Sequence, residues 1–257
     1  MKKVEIVLVG CGGTGGCLFG RLIRFLADQQ ITGLDIKLTI VDGDHVEMKN
    51  LGRQPFLAED VGNNKAVALA SAAEETLGLH VKAFPEYLAP ENMGRILGTN
   101  AYYSADVYIL IGAVDNHACR KLMHQFFAEK RGCALFFYID AANEYHSGDV
   151  VFAKKAYSTV EAPDRCHYFP EVLTDTDKPA YEKSCEELNI SEPQHLATNS
   201  FAADMIFGYV VQLLCAGEMM KAMPGGIAYF DAFKLFSRFD SYGSIESMKE
   251  GHHEENE

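Results

Sequence analysis

An α/β fold built on a doubly wound, mostly parallel sheet with antiparallel C-terminal strands is what the sequence predicts. Three observations indicate it: short apolar runs alternate with segments of helical periodicity, a glycine-rich turn follows the first run, and acidic residues end later runs. Alternating strands and helices form sheets covered by helices on both faces, and such sheets bind ligands at the carboxyl ends of their strands. We therefore expect a ligand site at that edge of the sheet.

The elements of the parallel part can be predicted in chain order. Residues 4–9 form the first apolar run and predict a strand, and apolar residues at helical spacing after the glycines predict a helix. Later runs predict strands at 36–41, 81–84, 106–111 and 135–140, with helices at about 60–77 and 116–130.

The pattern changes after residue 149. We expect an edge strand at 150–153 and then a long crossover loop at about 158–193, because that stretch is polar, acidic and broken by prolines. Loops of such length inside a compact domain are usually functional or mobile. A strongly apolar helix is predicted at 194–214, followed by an aromatic-rich hairpin at 227–239.

These elements predict a single domain over residues 1–240. The charged segment at 241–257 is expected to be a disordered tail.

The composition restricts the function. The net charge of −13 argues against a nucleic-acid partner, since that affinity needs clustered lysine and arginine. No apolar run reaches the roughly 18 residues of a membrane span, so we expect a cytoplasmic protein without a membrane partner. The seven scattered cysteines, an odd number, indicate reduced thiols. A single nucleotide is still compatible with an acidic chain, because backbone amides can bind its phosphates.

The glycine-rich turn has the spacing of a dinucleotide fingerprint. Gly10, Gly12 and Gly15, with Gly13 between them, allow a tight turn and a close approach of backbone amides to phosphate at the start of a helix. The motif indicates a Rossmann-like sheet. Taken alone, it is also compatible with a turn that binds no ligand.

Acidic residues follow the second strand. Asp42 lies where such sheets place a carboxylate against ribose hydroxyls. It lies further from the glycines than the roughly 20 residues of an ordinary NAD fingerprint, which weakens a nicotinamide reading. For Asp44, a nucleotide contact and a solvated turn carboxylate are both open.

Polar and cationic residues occupy the next loop and helix. Asn50, Arg53 and Gln54 lie close together, and Lys65 follows. A nucleotide triphosphate needs cations and polar groups at its outer phosphates, whereas hydride transfer does not. Individually, Arg53 and Lys65 could be solubilising surface residues. As a set, these residues indicate a triphosphate site.

Asp115 follows the fourth strand and precedes Asn116. A carboxylate at this point of a doubly wound sheet can hold Mg²⁺ against a phosphate. The alternative is that Asp115 caps the following helix, since aspartate is a favoured N-cap residue. One carboxylate could serve both roles.

These motifs, in this order and over roughly residues 4–215, resemble those of the ThiF, MoeB and ubiquitin-activating enzyme superfamily. The resemblance implies an ATP- and Mg²⁺-dependent enzyme that adenylates a carboxylate. It implies that Asp42 holds ribose and Asp115 holds Mg²⁺. The residues implied to embrace ATP are the glycine loop, Asp44, Asn50, Arg53, Gln54, Lys65 and Asn116.

Later segments at 168–173, 184–188 and 197–203 are similar to the ThiF-like protein of bacterial PRTRC gene systems. Those systems also encode ubiquitin-like and conjugating-enzyme-like proteins. The resemblance thus implies that the adenylated carboxylate is the C-terminus of a ubiquitin-like protein, with a conjugating-enzyme-like protein as a further partner. It also implies a homodimer.

Two features depart from the superfamily pattern. Members with zinc carry two C-x-x-C pairs, whereas this chain keeps at most Cys166, so we expect no zinc. Many bacterial members place an arginine before the first strand to reach a partner subunit's ATP, but here the strand begins almost at Met1. Either Arg21, Arg24 or another cation substitutes, or catalysis is weaker than the fold suggests.

A reactive thiol is implied at Cys185. Superfamily members that form thioesters or persulfides carry theirs at about this position, which makes Cys185 a candidate catalytic residue beside Arg53, Lys65 and Asp115. The neighbouring glutamates argue for an inert thiol, because negative charge raises a thiol pKa. Cys166 is the alternative thiol.

The sequence is also compatible with two other functions. A nicotinamide-dependent oxidoreductase would use the glycines and Asp42 but not the cation set. A non-catalytic scaffold for a ubiquitin-like partner would account for the missing arginine. The histidines, His124 among them, show no metal-ligand spacing, so we expect surface or core roles for them.

Overall fold

The computed structural model describes residues 1–28, 33–98, 105–130, 132–176, 178–182 and 195–244. Five parallel strands form the first part of its sheet: β1 (Lys2–Val9), β2 (Leu34–Val41), β3 (Lys82–Phe84), β4 (Val107–Gly112) and β5 (Leu135–Asn143). Their spatial order is β3-β2-β1-β4-β5. All five were predicted, with small differences at their ends.

Four antiparallel strands extend this sheet: β6 (Ser147–Ala156), β7 (Thr159–Ala162), β8 (Gly226–Asp231) and β9 (Phe236–Ser241). The predicted hairpin is confirmed as β8 and β9. The edge position predicted for 150–153 is wrong, because β6 pairs with β5 on one side and with β8 on the other. The sheet is therefore the expected Rossmann-like, mostly parallel sheet with antiparallel C-terminal strands.

Helices cover both faces of the sheet. On one face lie α1 (Gly13–Ala27), α2 (Lys65–Leu77) and α7 (Leu196–Cys215), and on the other lie α3 (Pro90–Ile96) and α4 (His117–Glu129). Alternate residues of β1 enter the two cores, with Ile6 and Leu8 in one and Val7 and Val9 in the other. Among the described residues, no helix combines the length and apolarity needed to cross a membrane.

Helix α2 begins later than predicted. Residues 58–60 form a separate 3-10 turn, and Gly62 has a φ of +93° that interrupts the helical backbone. The side chain of Asn64 then caps α2 by accepting hydrogen bonds from the amides of Ala66 and Val67. Lys65 consequently stands in the first turn of α2, beside the end of β2.

The predicted crossover loop is more ordered than its composition suggested. Within its described part lie β7, two short helices, α5 (Arg165–Tyr168) and α6 (Glu171–Thr174), and a 3-10 turn, Ala180–Glu182. Helix α3 was not predicted, since its seven residues carry little periodic signal. Cys185 and the expected disordered tail beyond residue 244 lie outside the described residues.

The strands that flank β1 end together. Val9 pairs with Val41 of β2 and with Gly112 of β4. The segments that follow these three strands, which begin at Gly10, Asp42 and Ala113, therefore emerge side by side. Successive strands are added on one side of β1 up to β3 and on its other side from β4, and doubly wound sheets bind ligands at such a switch in strand order.

Candidate functional site

A cavity of about 890 Å³ opens at the carboxyl ends of β1, β2 and β4. Ligand pockets in proteins typically enclose about 300 to 1,000 Å³. Residues 179–181 of the predicted crossover loop contribute to its wall. Of the residues predicted for the site, the lining contains Gly10, Gly12, Gly13, Asp42, Asp44, Asn50, Arg53, Gln54, Lys65, Asp115 and Asn116.

The glycines of the turn differ in what they accommodate. Gly10 has a φ of +94°, and a Cβ there would lie 2.4 Å from the carbonyl oxygen of Ala113. Gly15 does not line the cavity, and its Cβ would lie 1.9 Å from the carbonyl oxygen of Gly10. Around Gly12 the nearest atom to a Cβ is Gln54 Nε2, at 3.8 Å. Packing therefore requires Gly10 and Gly15, whereas Gly12 leaves the turn open towards the cavity.

Asp42 anchors the turn and faces the cavity. Its carboxylate accepts hydrogen bonds from the backbone amides of Cys11 (2.6 Å) and Asp44 (2.8 Å). Burial, followed by repulsion from Asp44, raises the pKa of Asp42 to about 6. A half-buried carboxylate that two amides already orient is well placed to accept a further hydrogen bond from a ligand hydroxyl.

Asp44 and Lys65 form an ion pair beside Asp42. Lys65 Nζ lies 2.8 Å from Asp44 Oδ2, and Tyr87 donates a hydrogen bond to the same carboxylate. Burial opposes the ionised form of Asp44, but Lys65 lowers its pKa below the ordinary value. Burial likewise opposes the charge on Lys65. The attraction of the Asp42 and Asp44 carboxylates outweighs this effect of burial, so the pKa of Lys65 is raised.

Tyr87 and Asn64, which no sequence pattern indicated, hold this acidic segment. The Tyr87 ring covers Gly43, where a Cβ would lie 2.5 Å from the ring. Asn64 donates to the carbonyl oxygens of Asp42 (2.8 Å) and Asp44 (2.9 Å) while it caps α2. The cap therefore fixes the position of both carboxylates relative to the helix.

The residues of the next loop divide into anchored and free side chains. Asn50 is buried and accepts a hydrogen bond from the amide of Glu47, so it shapes the loop. Gln54 Oε1 is buried, and the described residues offer it no hydrogen-bond donor. Arg53 is half-buried, and within the described ranges no carboxylate pairs with it. Gln54 and Arg53 are thus the residues of this loop that are available to a ligand.

Asp115 is exposed at the cavity, and Asn116 caps α4. The Asn116 side chain accepts a hydrogen bond of 2.8 Å from the amide of Cys119. The alternative role of Asp115 as N-cap is therefore wrong. In the described parts of the chain the Asp115 carboxylate makes no side-chain hydrogen bond, which leaves its oxygens to a cation or to water.

A network of opposite charges lies behind the start of α4. Arg120 and Arg165 share the buried carboxylate of Asp140, with N···O distances of 3.3 and 2.7 Å, and Arg165 also pairs with Asp149. Arg120 donates further to the carbonyl oxygens of Val114 and Ala141. Arg120 therefore holds the β4–α4 turn in place.

A second cluster that was not predicted joins three segments under the glycine turn. Asn143 of β5 donates to the hydroxyl of Thr14 (2.7 Å), which in turn donates to Asn199 of α7 (3.1 Å). Asn199 also lies against Gly13, where a Cβ would lie 2.1 Å from its Nδ2. These side chains bond the start of α1 to β5 and α7. Each comes from a distant part of the chain, so no local sequence pattern indicates them.

The model of the ThiF family matches residues 1–250 of the chain. The chain belongs to the ThiF family. Among curated protein sequences, no match to it is found.

Solved structures share the fold of this ThiF chain. PaaA is 17% identical and superposes with a TM-score of 0.61 over 93% of this chain and 64% of its own. E. coli MccB with ATP is 15% identical, with a TM-score of 0.58 over 92% of this chain and 63% of its own. MccB in complex with N-formylated MccA is 15% identical, with a TM-score of 0.58 over 92% of this chain and 64% of its own. The ThiF chain thus spans a little under two thirds of these proteins.

The cysteines of this ThiF chain fall in different environments. Burial, followed by the charge of Asp42, raises the pKa of Cys11 well above its ordinary value, and burial raises that of Cys119 to about 12. Both are therefore packed thiols. Cys166 is buried on α5 beside His124 and Asp164.

Arg21 and Arg24, the two arginines considered from the sequence, lie on α1, outside the cavity lining. Arg21 pairs with Asp204 of α7, and Arg24 donates to the carbonyl oxygen of Gly20. Arg53 is therefore the cation that the described chain leaves available at its own cavity.

Proposed function

We propose that this ThiF protein adenylates the C-terminal carboxylate of a ubiquitin-like protein, using ATP and Mg²⁺. The observation that carries the proposal is the convergence of an open glycine turn, an unpaired Arg53 and an unpaired Asp115 on one cavity. An adenylating site needs a phosphate cradle, a cation and a metal-binding carboxylate, and these features supply all three.

The lining suits a nucleotide. The open side of Gly12 and the start of α1, whose first turn lacks acidic residues, would accommodate phosphates. Asp42 would accept hydrogen bonds from ribose hydroxyls. The unsatisfied Oε1 of Gln54 would gain a donor from the ligand, which removes the cost of a buried orphan acceptor.

The charges suit a triphosphate and its metal ion. Arg53 and Lys65 would neutralise phosphate oxygens, and Asp115 would hold Mg²⁺. The metal ion would neutralise charge on the leaving pyrophosphate. Catalysis would come mainly from positioning and charge neutralisation: a carboxylate oxygen attacks the α-phosphorus, the bond to pyrophosphate breaks, and an acyl-adenylate forms.

The partner is inferred from the family and from the later segments of the sequence. MccB, which shares the fold, has been solved with the peptide MccA, which supports a polypeptide substrate. The similarity of segments 168–173 and 197–203 to the ThiF-like protein of PRTRC systems favours a ubiquitin-like tail, with a conjugating-enzyme-like protein downstream. We also propose a cytoplasmic homodimer and a single domain over residues 1–240.

Exchange of labelled pyrophosphate into ATP tests this proposal. We expect exchange that requires Mg²⁺ and a ubiquitin-like protein with a free C-terminal carboxylate. The matched control is the same partner with a C-terminal amide, which cannot be adenylated. Binding of the partner without exchange would favour the scaffold function, and tighter binding of NAD than of Mg-ATP in calorimetry would favour the oxidoreductase.

A further inference from the structure

Three potential metal ligands meet between α4 and α5, away from the cavity. They are His124 on α4, Asp164 just before α5, and Cys166 on α5. One ligand atom from each lies within 4.8 Å of the other two, and His124 Nδ1 lies 2.6 Å from Asp164 Oδ2. None of the three lines the cavity described above.

We propose that His124, Asp164 and Cys166 bind one divalent transition-metal ion, with Zn²⁺ as the best match. Imidazole nitrogen, thiolate sulfur and carboxylate oxygen are the donors that Zn²⁺ uses in proteins. The thiolate and the carboxylate together carry two negative charges, so a divalent ion makes the cluster neutral. Neutrality matters because Asp164 and Cys166 are both buried.

The geometry requires only small movements. Zinc bonds of about 2.0 to 2.3 Å in a tetrahedron separate neighbouring ligand atoms by roughly 3.3 to 3.8 Å. The ligand atoms already lie within 4.8 Å of one another, about 1 Å above the upper end of that range. The fourth position would take water. An ion can enter on the side of His124, whose side chain is 35% exposed.

A bound ion would connect α4 to the start of α5. Cys166 follows Arg165, whose guanidinium pairs with the buried Asp140 and the partly buried Asp149. Holding Cys166 against α4 therefore holds Arg165 in its network. The ion would act as a structural link within the crossover segment, and it would not touch the nucleotide.

This site differs from the one that the absence of C-x-x-C pairs excludes. That prediction concerned a site of four thiolates, whereas the cluster here combines three residue types from two segments about forty positions apart. Spacing in the sequence could not indicate it. The proposal therefore replaces the expectation of a zinc-free protein, and it is independent of the proposed adenylation.

Cobalt and zinc titrations of the full chain test the proposal. After removal of metal by a chelator, we expect one equivalent of Co²⁺ to bind with a thiolate-to-cobalt charge-transfer band. Zn²⁺ should displace it and raise Tm. Cys166→Ser should abolish the band. His124→Gln, at a half-buried position where folding is less at risk, should lower the affinity at least about tenfold, the smallest loss seen even for second-shell changes.

Matched variants separate this site from other thiols and imidazoles. Cys215→Ser removes an exposed thiol and His80→Gln an exposed imidazole, and both should bind cobalt like the wild type. A variant with alanine at His252 and His253 serves as a further control, because it removes any weak binding of cobalt by these two C-terminal histidines. A wild-type protein without a charge-transfer band, or a band that survives in both Cys166→Ser and His124→Gln, would overturn the proposal.

Discussion

The two charged regions of this protein lie next to each other and differ in how their charges are compensated. Behind the start of α4, Arg120 and Arg165 are matched by Asp140 and Asp149, so two positive and two negative charges neutralise one another. In the cavity, Lys65 and Asp44 form a pair, but Arg53 and Asp115 have no partner in the described chain and a second carboxylate, Asp42, lies beside the pair.

The difference indicates which region awaits a ligand. A buried network that is internally neutral holds elements together, and removing one member leaves its partner buried and unpaired. Unpaired charges at a cavity cost little while water reaches them, and they gain most when a ligand of opposite charge arrives. Substitutions in the network behind α4 should therefore lower stability, whereas substitutions in the cavity should lower activity.

The largest expected effect is on stability. Arg165→Met should lower the free energy of unfolding by about 3 to 5 kcal/mol, because Asp149 would lose its cation and the buried Asp140 would keep only Arg120. Urea denaturation measures this. The matched control, Arg53→Met, should change stability by less than about 0.5 kcal/mol, since the described residues give this side chain no partner to lose. Equal stability of the two variants would remove the distinction between the regions.

The next effect is on activity at Asp115. Asp115→Ala should reduce pyrophosphate exchange by at least about a hundredfold, because the metal ion loses its protein ligand while charge develops on the phosphates. Stability should hardly change. Asn116→Ala makes the opposite comparison: losing the cap should cost about 0.5 to 2 kcal/mol of stability. Normal exchange by a folded Asp115→Ala protein would contradict the site assignment.

A smaller loss is expected at Lys65. Lys65→Ala should weaken Mg-ATP binding or slow exchange about ten- to hundredfold, the value of a charge-assisted contact of roughly 1.5 to 3 kcal/mol. Lys234→Ala serves as the control, because that side chain is 78% exposed in the β8–β9 hairpin. If the two variants have equal rates, Lys65 serves only to pair with Asp44.

Asp42 predicts a dependence on pH. The pKa of Asp42 is raised from 3.8 to about 6. Between pH 3.8 and 6 the folded protein therefore binds a proton that the unfolded chain has released, and the free energy of unfolding falls as pH rises through this range. Ligand affinity should instead increase as pH rises through this range, because only the ionised carboxylate has all its lone pairs available to the ribose hydroxyls. Adenosine, which carries no phosphate to titrate, should bind more weakly below pH 6 than above it. If the affinity for adenosine does not vary with pH, Asp42 does not bind the ribose.

The smallest effect on adenylation is expected at Cys185. Cys185→Ala should exchange pyrophosphate at the wild-type rate, because that step needs no thiol. A covalent adduct with the partner, measured by mass spectrometry, should disappear. Persistence of the adduct would mean that another cysteine carries it, while loss of exchange would mean that this residue also shapes the nucleotide site.

Sequence patterns predicted the five parallel strands, the long helices, the family and most of the glycines and charged residues that line the cavity, but not Tyr87, Asn143 or Asn199. These depend on local signals: apolar periodicity, glycines required by a tight turn, and acidic residues at strand ends. The three-dimensional fold alone reveals which charges are already neutralised. It pairs Lys65 with Asp44, assigns the helix cap to Asn116 instead of Asp115, and gathers His124, Asp164 and Cys166. Charge compensation depends on distance in space, and residues forty positions apart carry no pattern that reveals it.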